Sequence, residues 1–377
     1  MPDSVILHES IDTHTHPRDM KKHGDGRMET LMPLLAAEHE TIVAIGNCQS
    51  PVLDLPSARA WKRDILSCIP PEQPLCVLIA ALVTDRTPPG LVQSLSALPD
   101  PPINLLKIFF EKVSNDGGNS VSDLKLIDDT IAATYQGRKH PIHIMIHAER
   151  KYDQNGNRIE MRDREWYCIK HDIEPMLERH PHVEITIAHV SDGRTVAWIR
   201  EMRRRGFMVW GEIATHYLVR CHEDLYEGRR GGTAFQANDL CWPLYKNEAS
   251  MTALQVAALD CEDIFHFGSD FACHKDDPTQ ASGVKIDNDG EACGGVTILP
   301  AHGKSLLIDF FAENGKLETL NAYISGNARA KLRLPPAPNK VRYIRSEWQV
   351  PQILQGDGFS SKPFMRGKAA NWIRVAW

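Results

Sequence analysis

Short apolar runs alternate with amphipathic stretches along most of this chain. The runs cover residues 5–7, 41–45, 75–83, 103–109, 141–147, 183–189, 207–213 and 264–270. They are nearly continuous rather than alternating, as expected of strands covered on both faces. Between them, residues 28–39, 58–69, 91–98, 124–135, 166–179, 195–204 and 248–258 carry apolar positions at helical spacing. Eight strands alternating with helices predict an α/β architecture, a (β/α)8 barrel. A doubly wound open sheet is the alternative, but no Gly-rich phosphate turn follows the first strand. Further helices are expected over 304–313 and 317–330, before Pro335-Pro336-Ala337-Pro338 breaks the pattern. Residues 1–334 are therefore read as the barrel. Residues 335–377, with strand-like pieces at 341–344 and 371–375, are read as a C-terminal extension packed on it. That extension is too short to bury a core of its own.

Polar residues interrupt the apolar pattern at particular places. In a barrel, functional side chains collect at the C-terminal ends of the strands. Asp12-Thr13-His14-Thr15-His16-Pro17-Arg18 follows the first run, and in a strand residues two apart share a face, so His14 and His16 project together. Asn47 follows the second strand, and Lys107 lies inside the fourth. His147, His189 and Asp270 end the fifth, sixth and eighth strands. Scattered core histidines would not fall so regularly at strand ends.

Composition narrows the function. The 377 residues are 42% hydrophobic and 24% charged with a net charge of -6, which fits a globular protein and argues against a general nucleic-acid binder. No apolar run is long enough for a membrane span. The nine cysteines show no C-x-x-C and no disulfide-like spacing, so free thiols and a cytoplasmic location are expected.

Two imidazoles on one strand face are half of a metal site. His147 and His189 are natural ligands for a second ion; His143, four residues before His147, shares its face and remains an alternative. A lysine cation in a buried strand is costly. Lys107 is either salt-bridged inside the barrel or carboxylated, its neutral amine having added carbon dioxide to give a carbamate that bridges two ions. Asp270 can ligate a metal and accept the proton of a bridging water, or it can simply cap a helix.

His14-Thr15-His16-Pro17-Arg18, the strand lysine, the two single histidines and the strand-eight aspartate together resemble the amidohydrolase superfamily. Within it, the chain is similar to the shorter bacterial dihydroorotase family over essentially its whole length. The resemblance implies two divalent ions, expected to be zinc: His14, His16 and Asp270 on one, His147 and His189 on the other, and a carboxylated Lys107 (N6-carboxylysine) between them. It also implies that Arg18, Asn47 and His274 grip a substrate carboxylate, and that the Leu240-Cys241-Trp242-Pro243-Leu244 segment, with Trp242, backs the substrate. The expected activity is reversible interconversion of N-carbamoyl-L-aspartate and L-dihydroorotate, with Asp270 as the proton carrier. A small acidic cyclic amide is the expected partner, a homodimer the expected assembly, with no nucleic acid and no membrane.

Three departures from the family pattern bear on the substrate. The loop after Lys107, from Phe109 to Gly118, lacks paired threonines; Trp242 stands where a smaller aliphatic residue is usual; and Ala292-Cys293-Gly294-Gly295-Val296 replaces a longer run. A hydrolase for another cyclic amide, imide or lactone is the alternative, and a non-catalytic structural homologue a more distant one.

Overall fold

The computed structural model describes residues 2–19, 26–95, 98, 101–113, 119–225, 239–260, 262–274, 285–286, 289, 292–293 and 295–375. Its centre is a parallel sheet formed by β2 (Ser10–His16), β3 (His39–Ile45), β4 (Cys76–Val83), β5 (Leu105–Phe109), β6 (Ile144–His147), β7 (Glu184–Ile187), β8 (Met208–Ile213), β9 (Phe265–Phe267) and β10 (Phe271–Ala272). Each strand pairs with the next in the chain, except that β10 pairs with β2, Phe271 lying opposite Thr15. β9 and β10 are two pieces of one segment, interrupted at Gly268-Ser269-Asp270. One piece bonds to β8 and the other to β2, which closes the sheet on itself. The expected (β/α)8 barrel is the fold found, with its eighth strand broken.

Helices cover the outside: α1 (Arg27–Glu38), α2 (Leu55–Ser67), α3 (Pro89–Leu95), α4 (Asp128–Ala133), α5 (Arg164–Cys168), α6 (Glu174–Arg179), α7 (Gly193–Arg204), α8 (Thr215–Val219), α9 (Glu248–Leu259), α10 (Pro300–Glu313), α11 (Leu317–Asn321) and α12 (Asn327–Leu332). The continuous apolar runs bury both strand faces. Outward residues such as Ile42, Ile79, Ile108 and Ile146 pack on the helices, whereas Val43, Leu78, Leu105 and Met145 form a separate cluster in the barrel interior.

One sequence expectation needs correction. The run at residues 5–7 is not the barrel strand that carries the histidines. It belongs to β1 (Ser4–His8), which pairs antiparallel with β13 (Lys340–Gln349) in a small sheet completed by β16 (Ala369–Val375). The histidines lie on the next strand, β2, after a break at Glu9, whose amide donates to Asn339 O. Ile6 is exposed and Leu7 buried, so β1 is covered on one face only, as its antiparallel pairing requires. Two short hairpins, β11 (Lys285–Ile286) with β12 (Ala292–Cys293) and β14 (Leu354–Gly356) with β15 (Phe359–Ser361), complete the strands. Residues 114–118 of the loop after Lys107, and Gly294, lie outside the described residues.

Candidate metal centre

At the C-terminal end of β2, His14 and His16 turn to the same side, with ring centroids 5.1 Å apart. The backbone then leaves the strand, and Arg18 adopts a φ of 74°. Asp270 comes from the break in the eighth strand. Its Oδ1 lies 3.1 Å from His16 Nε2 and 3.6 Å from His14 Nε2. The three offer ligand atoms all within 4.8 Å of one another, a group that can hold a metal ion. Two ligand atoms on one tetrahedral zinc stand about 3.3 Å apart, given bonds near 2.0–2.1 Å, and the observed separations bracket that figure.

The outer ring nitrogens decide which lone pairs face inward. His14 Nδ1–H donates to Glu212 Oε1 at 2.7 Å, and His16 Nδ1–H donates to Asn47 Oδ1 at 2.5 Å. A neutral imidazole carries one hydrogen, so both Nε2 atoms keep lone pairs on the side of Asp270. His147 behaves alike with the opposite nitrogen: Nε2–H donates to Glu149 Oε2 at 2.9 Å, and Nδ1 faces His189 Nε2 at 3.0 Å. His14 and His189 are neighbours as well, at 5.1 Å between rings. His14 Nε2, His189 Nδ1 and Lys107 Nζ are buried and have no hydrogen-bond partner. Such orphaned donor atoms, gathered in one place and drawn from nitrogen and carboxylate groups, fit a metal centre.

Burial sets the protonation states. It lowers His16 to about 4 and puts His147 and His189 below the ordinary histidine range, so these rings are neutral near pH 7 and available as ligands. Burial also pulls Lys107 down to about 8, against the opposing pull of Glu212 and Asp270. Asp270 is held well below the carboxylate range: burial pushes it up, but the neighbouring rings of His14, His16 and His189 outweigh that. Three of the candidate residues, Arg18, His189 and Asp270 (φ 52°), have left-handed backbones, a strain that clusters at functional sites.

His143 separates from this group. Its Nε2 meets Thr186 Oγ1 at 2.6 Å and its Nδ1 lies 3.9 Å from Glu184, deeper in the barrel. Of the two alternatives, His147 is the one brought to His189. The other candidates lie around the same rim. Arg18 O accepts from Trp61 Nε1, and the neighbouring Asp19 carboxylate takes the Gln49 and Ser50 amides, which fixes the loop carrying Asn47. His274 N donates to Thr297 Oγ1, and its ring is packed so closely on Gly295 that a Cβ there would lie 2.0 Å from it. Trp242 is half-buried, with Lys151 Nζ 5.8 Å from its ring. Two residues escaped the sequence reading, Glu212 and Glu149. Glu212 is an ionisable group inside an apolar strand, the same signal that picked out Lys107; Glu149 stands two residues after His147.

Comparisons with known proteins bear on the fold. No family model matches the chain. A dihydroorotase from Halorhodospira halophila is 25% identical over 370 residues, covering 98% of each chain. The chain is similar to dihydroorotases along its whole length. The crystal structure of dihydroorotase from Saccharomyces cerevisiae, in complex with 5-fluoroorotic acid, superposes with a TM-score of 0.83 at 18% identity, over 99% of both chains. An L-hydantoinase (dihydropyrimidinase) from Arthrobacter aurescens follows at a TM-score of 0.71 and 15% identity, over 97% of this chain and 82% of the hydantoinase. Dihydroorotases and hydantoinases thus share this fold with the chain.

Proposed function

We propose that this chain is a metal-dependent hydrolase of cyclic amides, and specifically a dihydroorotase. The observation that carries the reading is the tautomer pattern: His14, His16 and His147 each commit one nitrogen to a fixed acceptor and turn the other toward a neighbouring ligand atom. His14, His16 and Asp270 would hold one divalent ion, and His147 and His189 a second. Lys107, whose amine is accessible because burial lowers its pKa, would be carboxylated and bridge the two. Zinc suits this set of nitrogens and carboxylates. Bound there, the ions supply a water acidic enough to ionise near neutral pH and polarise the ring carbonyl.

The chain's own residues do the rest. Asp270, ionised and next to both β2 histidines, takes a proton from the attacking water and returns it to the leaving ring nitrogen. Run backwards, the same transfers close N-carbamoyl-L-aspartate to L-dihydroorotate. Arg18 offers a planar fork for the substrate carboxylate. Asn47 uses its oxygen on His16, which leaves its Nδ2 hydrogens as the donors a carboxylate needs. His274 completes the grip, and Trp242 backs the ring. Cys48, Cys68, Cys76, Cys168, Cys221, Cys241 and Cys273 are unbridged, which supports a cytoplasmic enzyme.

A hydrolase of neutral cyclic amides or imides is the second reading, favoured by the bulk of Trp242 on the rim. Purified, zinc-loaded protein should turn over dihydroorotate well above neutral dihydropyrimidines and hydantoins. The reverse order would move the assignment to the second reading.

A further inference from the structure

Lys331 lies far from the substrate residues in sequence, on α12, yet its side chain reaches into the barrel. It is buried, and its Nζ donates to His266 Nε2 at 2.7 Å and to Thr186 Oγ1 at 2.9 Å. A charged lysine offers donors and no acceptor. His266 Nε2 must therefore accept, and the ring carries its hydrogen on Nδ1. That nitrogen lies 3.2 Å from Phe267 O and 3.3 Å from Thr13 Oγ1, both acceptors for it. Thr13 has a single hydroxyl hydrogen and two acceptors, Phe267 O at 2.8 Å and Glu212 Oε2 at 2.7 Å. With His266 donating on that side, the hydroxyl hydrogen goes to the carboxylate, the stronger acceptor. Glu212 then receives Thr13 on Oε2 and, on Oε1, His14 Nδ1–H at 2.7 Å and the His189 amide at 3.2 Å.

The opposite tautomer of His266 breaks this order at both ends. An Nε2–H would point at the hydrogens of Lys331. A bare Nδ1, 3.3 Å from Thr13 Oγ1, would compete with Glu212 for the Thr13 hydrogen and loosen the contact that orients the carboxylate toward His14. We propose that Lys331 is a positioning residue for the metal centre, acting through His266, Thr13 and Glu212 to keep the hydrogen of His14 on Nδ1 and the lone pair of Nε2 facing Asp270. Burial lowers Lys331 to about 7, against the pull of Glu212 and Glu184. The neutral amine keeps two hydrogens for the same two acceptors, so it is compatible with the order that the charged form imposes. The same lysine organises a second branch: Thr186, having accepted from Lys331, turns its hydrogen to His143 Nε2 at 2.6 Å, and His143 Nδ1 faces Glu184, which is paired with Arg333.

This inference rests on the metal-centre reading and not on the identity of the substrate. The test uses the full chain after chelation, with imidazole nitrogen NMR to read tautomers and a competitive zinc titration to read affinity, on the wild type and Lys331→Met. The wild type should show His266 and His14 both protonated at Nδ1. In Lys331→Met, His266 should shift to the Nε2–H form or a mixture, and zinc affinity should fall roughly 10- to 100-fold, the range for a lost partner behind a ligand. His266 protonated at Nε2 in the wild type would overturn the proposal without any variant, so a Lys331→Met chain that fails to fold does not shield it. Wild-type zinc binding matched within twofold by a folded variant would overturn it too. Absence of zinc binding by the wild type would overturn the metal centre itself, an outcome distinct from both.

Discussion

An ammonium on Lys107 would stand in the middle of the barrel without a hydrogen-bond acceptor, against the face of Phe109 at 5.0 Å and with the charges of Glu212 and Asp270 only at longer range. A carbamate there converts an unfavourable cation into an anion among histidines. Lys107→Ala is expected to lose activity and bind less zinc, and a short carboxylic acid added with the metal should restore part of both; elemental analysis and turnover measured together check this. Full activity in the alanine variant would leave Lys107 a packing residue. At the rim, Arg18→Met should lower kcat/KM for dihydroorotate by about two orders of magnitude, since a lost charged contact costs on the order of 2–5 kcal/mol, with metal content unchanged. Neutral cyclic amides tested alongside should be little affected. Asp19 is committed to two backbone amides, and Glu149 to His147 with Arg164 3.9 Å away, so both neighbouring carboxylates have other work. These ligand candidates were legible because each is an ionisable residue set against an apolar run. Glu212, one residue before the end of β8, obeys the same rule. Asn47 stood out by its place after the second strand, but its role, and His274 altogether, were visible only through the family resemblance, since a polar residue in a loop has little local signal of its own.

The break between β9 and β10 does most to shape the site. Gly268 lets the chain turn inward there: a Cβ would lie 2.4 Å from the Glu212 carboxyl carbon, in the space the carboxylate occupies while it holds His14. Asp12 secures the turn from the other side, accepting the Ser269 amide and hydroxyl as well as the His14 amide. Gly268→Ala should therefore destabilise the fold by about 1–3 kcal/mol, the usual cost of overpacking. It should also weaken zinc binding beyond any loss of folded protein. Chemical denaturation and a zinc titration on the same samples separate the two effects, and an unchanged zinc affinity would mean that Glu212 yields without disturbing His14. Strand order was readable from the apolar runs, but the break was not. Residues 264–270 look like one buried strand, and only the positive φ at Asp270 shows where it leaves the sheet. His189 likewise lies two residues beyond β7 with φ 37°. The exchange of β1 for β2 has another origin: the apolar run lies in β1, whose partner β13 is hundreds of residues away, whereas β2 has one aliphatic residue and no apolar run to mark it.

Across the whole molecule, burial of histidines sets the response to acid. His143, His216 and His302 are lowered to about 4 and His266 to about 3, in each case first of all by burial. Between those values and the ordinary 6.5, the unfolded chain binds protons that the folded chain refuses, so stability falls as pH falls through that window. Asp12, raised to about 6 by burial, works in the opposite direction, because its folded form takes up a proton before its unfolded form does. Glu38, Glu165 and Asp239 are raised as well, but His16, His39, His147 and His189 are lowered with the other four rings, so the metal-free protein should be less stable at pH 4.5 than at pH 7, with the midpoint of urea unfolding as the measure. A flat midpoint across that range would mean that the histidines are solvated. The closure of the barrel also has a consequence in time. His16 and Asp270 are 254 positions apart, so a ribosome adding 5–20 residues per second delivers the aspartate roughly 10–50 s after the histidine. Throughout that interval the β2 histidines and their neighbour β3 are already made while Asp270 and β10, on the other edge of β2, are still to come. In the proposed centre, an ion met early would be held by two groups instead of three until the last strand of the ring arrives.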